Sequence, residues 1–212
     1  MSKRIVVLIS GSGSNLQAIM DACQAGAVKG QVVAVLSNIA GVFGLERAEK
    51  AGIATDVVSH KDFDSREAFD AAMAAKIDTY APDLVVLAGF MRILTADFVR
   101  HFEGKMLNIH PSLLPKYKGL NTHQRALEAG DSEHGCSVHF VTEELDAGPP
   151  VIQGRVSIDV DDSAESLQKK VHVQEHVIYP KAVAWFCEGK LSFSQGVARF
   201  EGTPVPEGGV AH

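Results

Sequence analysis

Arg4-Ile-Val-Val-Leu-Ile9 runs directly into Ser10-Gly-Ser-Gly-Ser-Asn15-Leu-Gln17. The first run lacks the polar–apolar alternation of a half-exposed strand. A strand that is apolar at every position has both faces covered, which is the habit of parallel sheets. After the Gly-Ser turn, Leu16, Ile19, Met20 and Cys23 recur at helical spacing over 14–25. A buried strand, a glycine turn and a helix form the opening unit of a doubly covered α/β sheet.

The pattern repeats outward from there. Val32–Leu36 is a second apolar run, Leu45–Ala51 reads as a short helix, and Thr55–Val58 as a brief strand. Asp64 with Glu67 has capping-box spacing and predicts a helix to about Tyr80. Ala81-Pro82-Asp83 breaks it, and Leu84–Ala88 is a third strongly apolar strand. The expectation is a Rossmann-like, mostly parallel twisted sheet with helices on both faces. Ligands should then bind beyond the carboxyl ends of the strands.

The second half changes character. Lys105–Ile109 reads as a strand entering a proline-bounded loop, His110-Pro-Ser-Leu-Leu-Pro115. Asn121–Ala129 predicts a helix ended by Gly130. Cys136–Val141 alternates as a half-buried strand, and Val151–Ile158 is another strand after the loop Asp146–Pro150. Asp162 with Glu165 opens a long helix to about Cys187, with Trp185 and Phe186 as core. The whole reads as one domain over 1–212. It has two halves, about 1–103 and about 104–190, and a peripheral tail over 196–212.

Composition excludes several classes. Of 212 residues 46% are hydrophobic and 22% charged, a globular balance. Lys plus Arg is 20 and Asp plus Glu is 26, so the net charge of −6 disfavours a nucleic-acid partner. Three scattered cysteines (Cys23, Cys136, Cys187) make no disulfide framework and no thiolate zinc site, and fit a reduced, cytoplasmic protein. The five-residue run Ile5–Ile9 is too short for a secretory core or a membrane span.

Four segments can carry chemistry. Gly11-Ser-Gly-Ser-Asn15, between a strand and a helix, suits a phosphate at a helix N-terminus. Leu16 breaks the GxGxxG pattern and no P-loop is present, so a phosphomonoester fits better than a dinucleotide. A tight turn with a Ser or Asn cap explains the same residues. Asn108-Ile-His110-Pro sets an amide beside an imidazole at a strand end, a pair suited to stabilising an oxyanion in acyl transfer. A structural histidine beside a turn is the alternative. Asp146, if it meets His110, would favour the protonated ring and raise its pKa; an ordinary Asp-x-Gly turn reads the same. His172-Val-Gln-Glu-His176 has the HxxEH spacing of inverted zinc peptidases on a predicted helix. The Gly- and Pro-rich remainder offers little beyond Glu188 as a third ligand, so a helix face lining a pocket is preferred and no metal is expected. His134 and His139 straddle a turn and a strand, while His60, His101, His123 and His212 are expected to face solvent. No GxSxG elbow occurs.

In order along residues 4–190, the chain resembles the phosphoribosylglycinamide formyltransferase family. The likeness rests on Ser10–Gln17, on Leu87-Ala-Gly-Phe-Met91-Arg-Ile-Leu94 and on Asn108-Ile-His110-Pro-Ser-Leu-Leu-Pro115. It continues through Gly135-Cys-Ser-Val-His139-Phe and Asp146-x-Gly-Pro. The resemblance implies direct formyl transfer from 10-formyltetrahydrofolate, as co-substrate and without metal, to the amine of 5-phosphoribosylglycinamide in purine (IMP) biosynthesis. It implies that Asn108 and protonated His110 stabilise the tetrahedral oxyanion while Asp146 holds His110 charged. Gly13, Ser14 and Asn15 would take the substrate phosphate and Glu175 the ribose hydroxyls. Arg66, Met91, Arg92, Ile93 and Leu94 would form the folate pocket with Val141, Thr142, Glu143, Glu144, Leu145 and Asp146, next to Asn108. The first half then serves the phosphate and nucleotide, the second catalysis and folate.

Chain length sets the sequence apart from methionyl-tRNA formyltransferase and from formyltetrahydrofolate deformylase, which add further domains to this core. Deformylation remains the alternative activity. Partners are expected to be small molecules only, and the protein a monomer or weak homodimer. Lys118, Asn121 and Pro150 depart from the family pattern, which bears on loop conformation and not on the reaction.

Overall fold

The computed structural model describes residues 2–212. The chain builds β1 (Lys3–Ile9), α1 (Ser14–Gln24), β2 (Gly30–Ser37), α2 (Phe43–Lys50), β3 (Ala54–Val57), α3 (Arg66–Asp78), β4 (Leu84–Leu87), α4 (Ala96–His101) and β5 (Met106–His110). There follow α5 (Thr122–Glu128), β6 (Glu133–Phe140), β7 (Pro150–Ser157) and α6 (Ala164–Cys187), then three short strands, β8 (Leu191–Ser194), β9 (Val197–Phe200) and β10 (Thr203–Pro204). Seven strands form one sheet in the order β3-β2-β1-β4-β5-β6-β7. The pairs from β3 to β5 are parallel, whereas β5–β6 and β6–β7 are antiparallel.

The unbroken apolar runs have the predicted meaning. Ile5, Val7 and Ile9 point to one face, where they pack with Leu16 and Ile19 of α1 and Ile178 and Val183 of α6. Val6 and Leu8 point to the other, against Phe69 and Met73 of α3 and Phe98 of α4. All five β1 side chains are fully buried. Each such side chain contributes roughly 1.5–3 kcal/mol of transfer free energy. Tyr179 of α6 ties the helix to the sheet: its buried hydroxyl lies 2.7 Å from the Leu87 carbonyl and 3.0 Å from that of Leu107. Leu87 is the last residue of β4 and Leu107 the second of β5.

Several expectations need correction. The α3 cap is Ser65, whose hydroxyl accepts from the Ala68 amide, and not the Asp64–Glu67 pair. The α6 box joins Ser163 to Ser166, one residue beyond Asp162 and Glu165. Both are one-residue slips among neighbouring polar side chains. β6 is buried from His134 to Phe140 and is not half-exposed. Its alternation is real, but the polar face of Ser137 and His139 is covered as well as the apolar one. The six-residue α4 was not anticipated, being too short to show a period.

The tail is ordered and attached. β8 and β9 form a hairpin whose two turn residues, Gln195 and Gly196, both have positive φ, as a type I′ turn requires. Phe200 packs on Trp185 with ring centroids 4.8 Å apart, and the Val210 amide donates to the Val151 carbonyl at 2.8 Å. No helix among the described residues is long and apolar enough to cross a membrane.

Candidate active site

At the centre of the sheet β1 and β4 are neighbours, while the chain leaves β1 towards β2 on one side and β4 towards β5 on the other. Such a switch point opens a crevice beyond the carboxyl ends of the strands. Here it is a cavity of about 860 Å³, within the size range of small-molecule sites.

One wall is the turn after β1. Gly13 is the N-cap of α1, with φ 72° and ψ 31°, and no side chain caps the helix. The Ser or Asn cap considered from sequence is therefore absent, and no acidic residue occupies the first turn. That leaves first-turn amides and the positive helix end open to an anion. The turn is braced from behind by α2. The Gly44 amide donates to the Gly11 carbonyl at 3.0 Å, and Arg47 Nε donates to the Ser12 carbonyl at 2.7 Å. A Cβ on Gly13 would lie 2.7 Å from Gly44 Cα. Asn15 Nδ2 donates to Glu175 Oε2 at 3.0 Å, joining the turn to α6. Burial raises the Glu175 pKa, opposed by the Asn15 bond and by the nearby His172 and His110.

The opposite wall is set by sheet register. Asn108 on β5 lies directly across from His139 on β6. His139 Nδ1 is 2.9 Å from the Phe140 carbonyl, so Nδ1 carries the proton and Nε2 accepts. Burial lowers the His139 pKa to about 4, which keeps the ring neutral. Asn108 Nδ2 donates to His139 Nε2 at 3.2 Å, and this bond fixes which way the amide faces. Asn108 also lines the cavity.

His110 is held at both nitrogens. Nε2 lies 2.8 Å from the Tyr117 carbonyl, and Nδ1 lies 3.5 Å from Asp146 Oδ2. The His110 and Asp146 side chains are each only 8% exposed. Asp146, at φ 52°, also accepts from the Gly119 amide at 2.9 Å.

Between these walls run two loops. Met91 and Ile93 are 70% and 56% exposed and present apolar surface to the cavity, as Leu145 does at 49%. Arg92 and Leu94 lie in the same lining. Of the Val141–Asp146 loop, Glu143 pairs with Arg100 at 2.7 Å and Glu144 with Lys118 at 2.9 Å. Lys118 thus ties one rim loop to the other. Val141 and Thr142 complete the lining on that side.

The structure brings together all but one of the sequence-derived site residues. Arg66 is exposed in the first turn of α3 and does not line the cavity. In the other direction, Gln168 lines it beside Glu175 without having been expected, as does His172, whose helix face was expected to line a pocket. Their spacing from Glu175, seven and three residues, is one face of a helix and was available as a signal. His123, expected in solvent, is half-buried at the cavity with Nδ1 3.1 Å from His134 Nε2; burial first, then nearby histidines, lower its pKa to about 4. The His172 and His176 rings stack with centroids 6.4 Å apart, and among the described residues no three His, Cys, Asp or Glu side chains converge as a metal-ligand group.

Comparison with known proteins identifies the chain's relatives. The model of the formyl transferase family matches residues 3–183. The chain is 56% identical to the phosphoribosylglycinamide formyltransferase of Escherichia coli K12 over 207 residues, 98% of each protein. It is 45% identical over 192 residues to the human trifunctional purine biosynthetic protein adenosine-3, covering 91% of this chain and 19% of that one. The solved phosphoribosylglycinamide formyltransferase of Coxiella burnetii superposes with a TM-score of 0.94 at 50% identity, covering 99% of this chain and 98% of the other.

Proposed function

The chain belongs to the formyl transferase family, as an enzyme of the phosphoribosylglycinamide formyltransferase kind in purine biosynthesis, and from that membership we propose how it works. It takes the formyl group from 10-formyltetrahydrofolate and passes it directly to the amine of 5-phosphoribosylglycinamide. The observation that carries this reading is the convergence of Asn108, His110 and Asp146 on the same cavity as the uncapped turn Gly13–Asn15.

The substrate phosphate sits on the amides of Gly13, Ser14 and Asn15, at the positive end of α1. Glu175, fixed by Asn15, meets the ribose hydroxyls. The apolar rim of Met91, Ile93 and Leu145 receives the flat folate ring, with Arg92, Leu94 and the 141–144 stretch framing it. Arg66, exposed at the start of α3, is not among the residues that line the cavity.

The amine attacks the formyl carbon, and negative charge develops on the formyl oxygen. Asn108, oriented by His139, donates an N–H to it. His110 exchanges the Tyr117 carbonyl for the same oxygen, while Asp146 favours the charged ring. When the tetrahedral intermediate collapses, the bond to N10 of the folate breaks. The proton lost by the amine ends on N10, with Asp146 and water as the relay. No step calls for a metal.

The test follows 10-formylfolate consumption by ultraviolet absorbance, with and without the glycinamide nucleotide. Consumption only with the nucleotide, and formyl recovered on it, is the expected result. Consumption without it, with release of formate, would make the enzyme a deformylase on the same plan.

A further inference from the structure

The stretch Met91–Leu94 has no regular secondary structure, yet both its ends are pinned from below. At the start, the Met91 amide donates to Ser10 Oγ at 2.8 Å. Just past the end, the Thr95 amide donates to Asp70 Oδ2 at 2.6 Å. Neither acceptor side chain lines the cavity. Both are buried, Ser10 at 8% and Asp70 at 2% exposure.

Each acceptor is itself held. The Ser10 hydroxyl donates to Asn38 Oδ1 at 2.6 Å, so a lone pair remains for Met91. Asp70 sits on the buried face of α3 among Phe69, Met73 and Ile77. An apolar side chain is the ordinary occupant there. Its Oδ1 has no partner, and neither does Nε of Arg92, whose guanidinium lies 5.4 Å from the Phe69 ring centre. A buried carboxyl group with one oxygen unpartnered is unfavourable. Among the described residues its one hydrogen bond is to Thr95, so what the group secures is the end of the 91–94 stretch.

We propose that Ser10 and Asp70 are positioning residues for the folate, clamping both ends of 91–94 so that its backbone is preset before the ligand binds. The proposal rests on the folate reading of this cavity. Preorganisation acts on binding: without an anchor, the stretch must be ordered by the ligand itself. The cost then falls on the folate KM, not on turnover at saturation or on the nucleotide KM. Ser10 adjoins the phosphate turn, so Asp70 isolates the effect more cleanly.

The experiment compares native protein with Asp70→Ala, Asp70→Asn and Ser10→Ala. It measures direct binding of 10-formylfolate, steady-state kinetics, and hydrogen exchange of the ligand-free amides from 91 to 95. Asp70→Ala should raise Kd and KM for 10-formylfolate about tenfold, the effect of one charge-assisted hydrogen bond. Turnover should stay within about twofold, and the Thr95 amide should lose protection. Asp70→Asn, which keeps an acceptor oxygen, should restore most of the affinity. Should Asp70→Ala not fold, Ser10→Ala tests the other anchor through the Met91 amide and the folate KM. Native folate binding in a folded variant that has lost its anchor would overturn the clamp alone, as would turnover falling as far as KM rises. Failure of the native protein to bind 10-formylfolate would overturn the folate reading and the clamp with it.

Discussion

The Gly11–Asn15 turn and the Asn108–His110–Asp146 wall line one cavity but are built by different means. The turn is a single strand-turn-helix unit within residues 9–15 and offers backbone groups. Its shape follows from Gly13 in the left-handed region and from close packing of Gly44. The wall offers side chains, drawn from β5, β6 and two loops, with 31 residues separating Asn108 from His139. Its geometry follows from register: a slip of one residue between β5 and β6 would put the two side chains on opposite faces. The antiparallel β5–β6 pairing is what sets Asn108 opposite His139. A backbone site is thus local and stiff, while a side-chain site depends on the whole sheet being right.

The strongest test of this contrast attacks the wall. His110→Ala or Asp146→Ala should lower turnover by on the order of 10² to 10³, with the thermal midpoint and nucleotide affinity nearly native. Loss of nucleotide binding in the same variants would mean that the two regions are not independent. Attacking the turn should do the reverse. Gly13→Val places a branched side chain at positive φ against Gly44, and should raise the nucleotide KM about tenfold and cost about 1–3 kcal/mol in stability. Turnover at saturation should survive.

The smallest effect concerns the support of the wall. His139 has its pKa lowered to about 4 in the fold, against an ordinary 6.5. The unfolded chain therefore binds the proton first, and stability falls as pH drops from about 6.5 towards about 4. For this one group the loss between about pH 7 and about pH 5 is about 2 kcal/mol. His139→Gln should flatten that part of the curve in urea unfolding. An unchanged pH slope would show that the buried ring is not the cause.

Much of the fold was legible because burial on two faces leaves a mark at every position of a strand. The runs at 5–9, 32–36 and 84–88 could only be central strands. The C-terminal sheet was not legible, since its Gln195–Gly196 turn lacks the usual Asn-Gly signal and its strands are only two to four residues long. Helix caps slipped by one residue where several polar side chains compete. At the site, Asn108 and His110 were legible as near neighbours on one strand. The His172–His176 helix face was legible as a pocket lining, and His172 does line the cavity; His123 and Gln168 were not singled out, because their role depends on which way α5 and α6 face. Arg66 was placed by family likeness alone, and it is exposed and does not line the cavity.

The sequence by itself determined the doubly covered strands, the turn between β1 and α1, and the pairing of an amide with an imidazole at a strand end. These are effects within a few residues, governed by backbone preference and side-chain period. Only the tertiary structure decided that His139 orients Asn108, that His110 lies between Tyr117 and Asp146, and that Ser10 and Asp70 hold the ends of 91–94. Those contacts join residues far apart in the chain, and their geometry comes from sheet register and close packing, which no local pattern encodes.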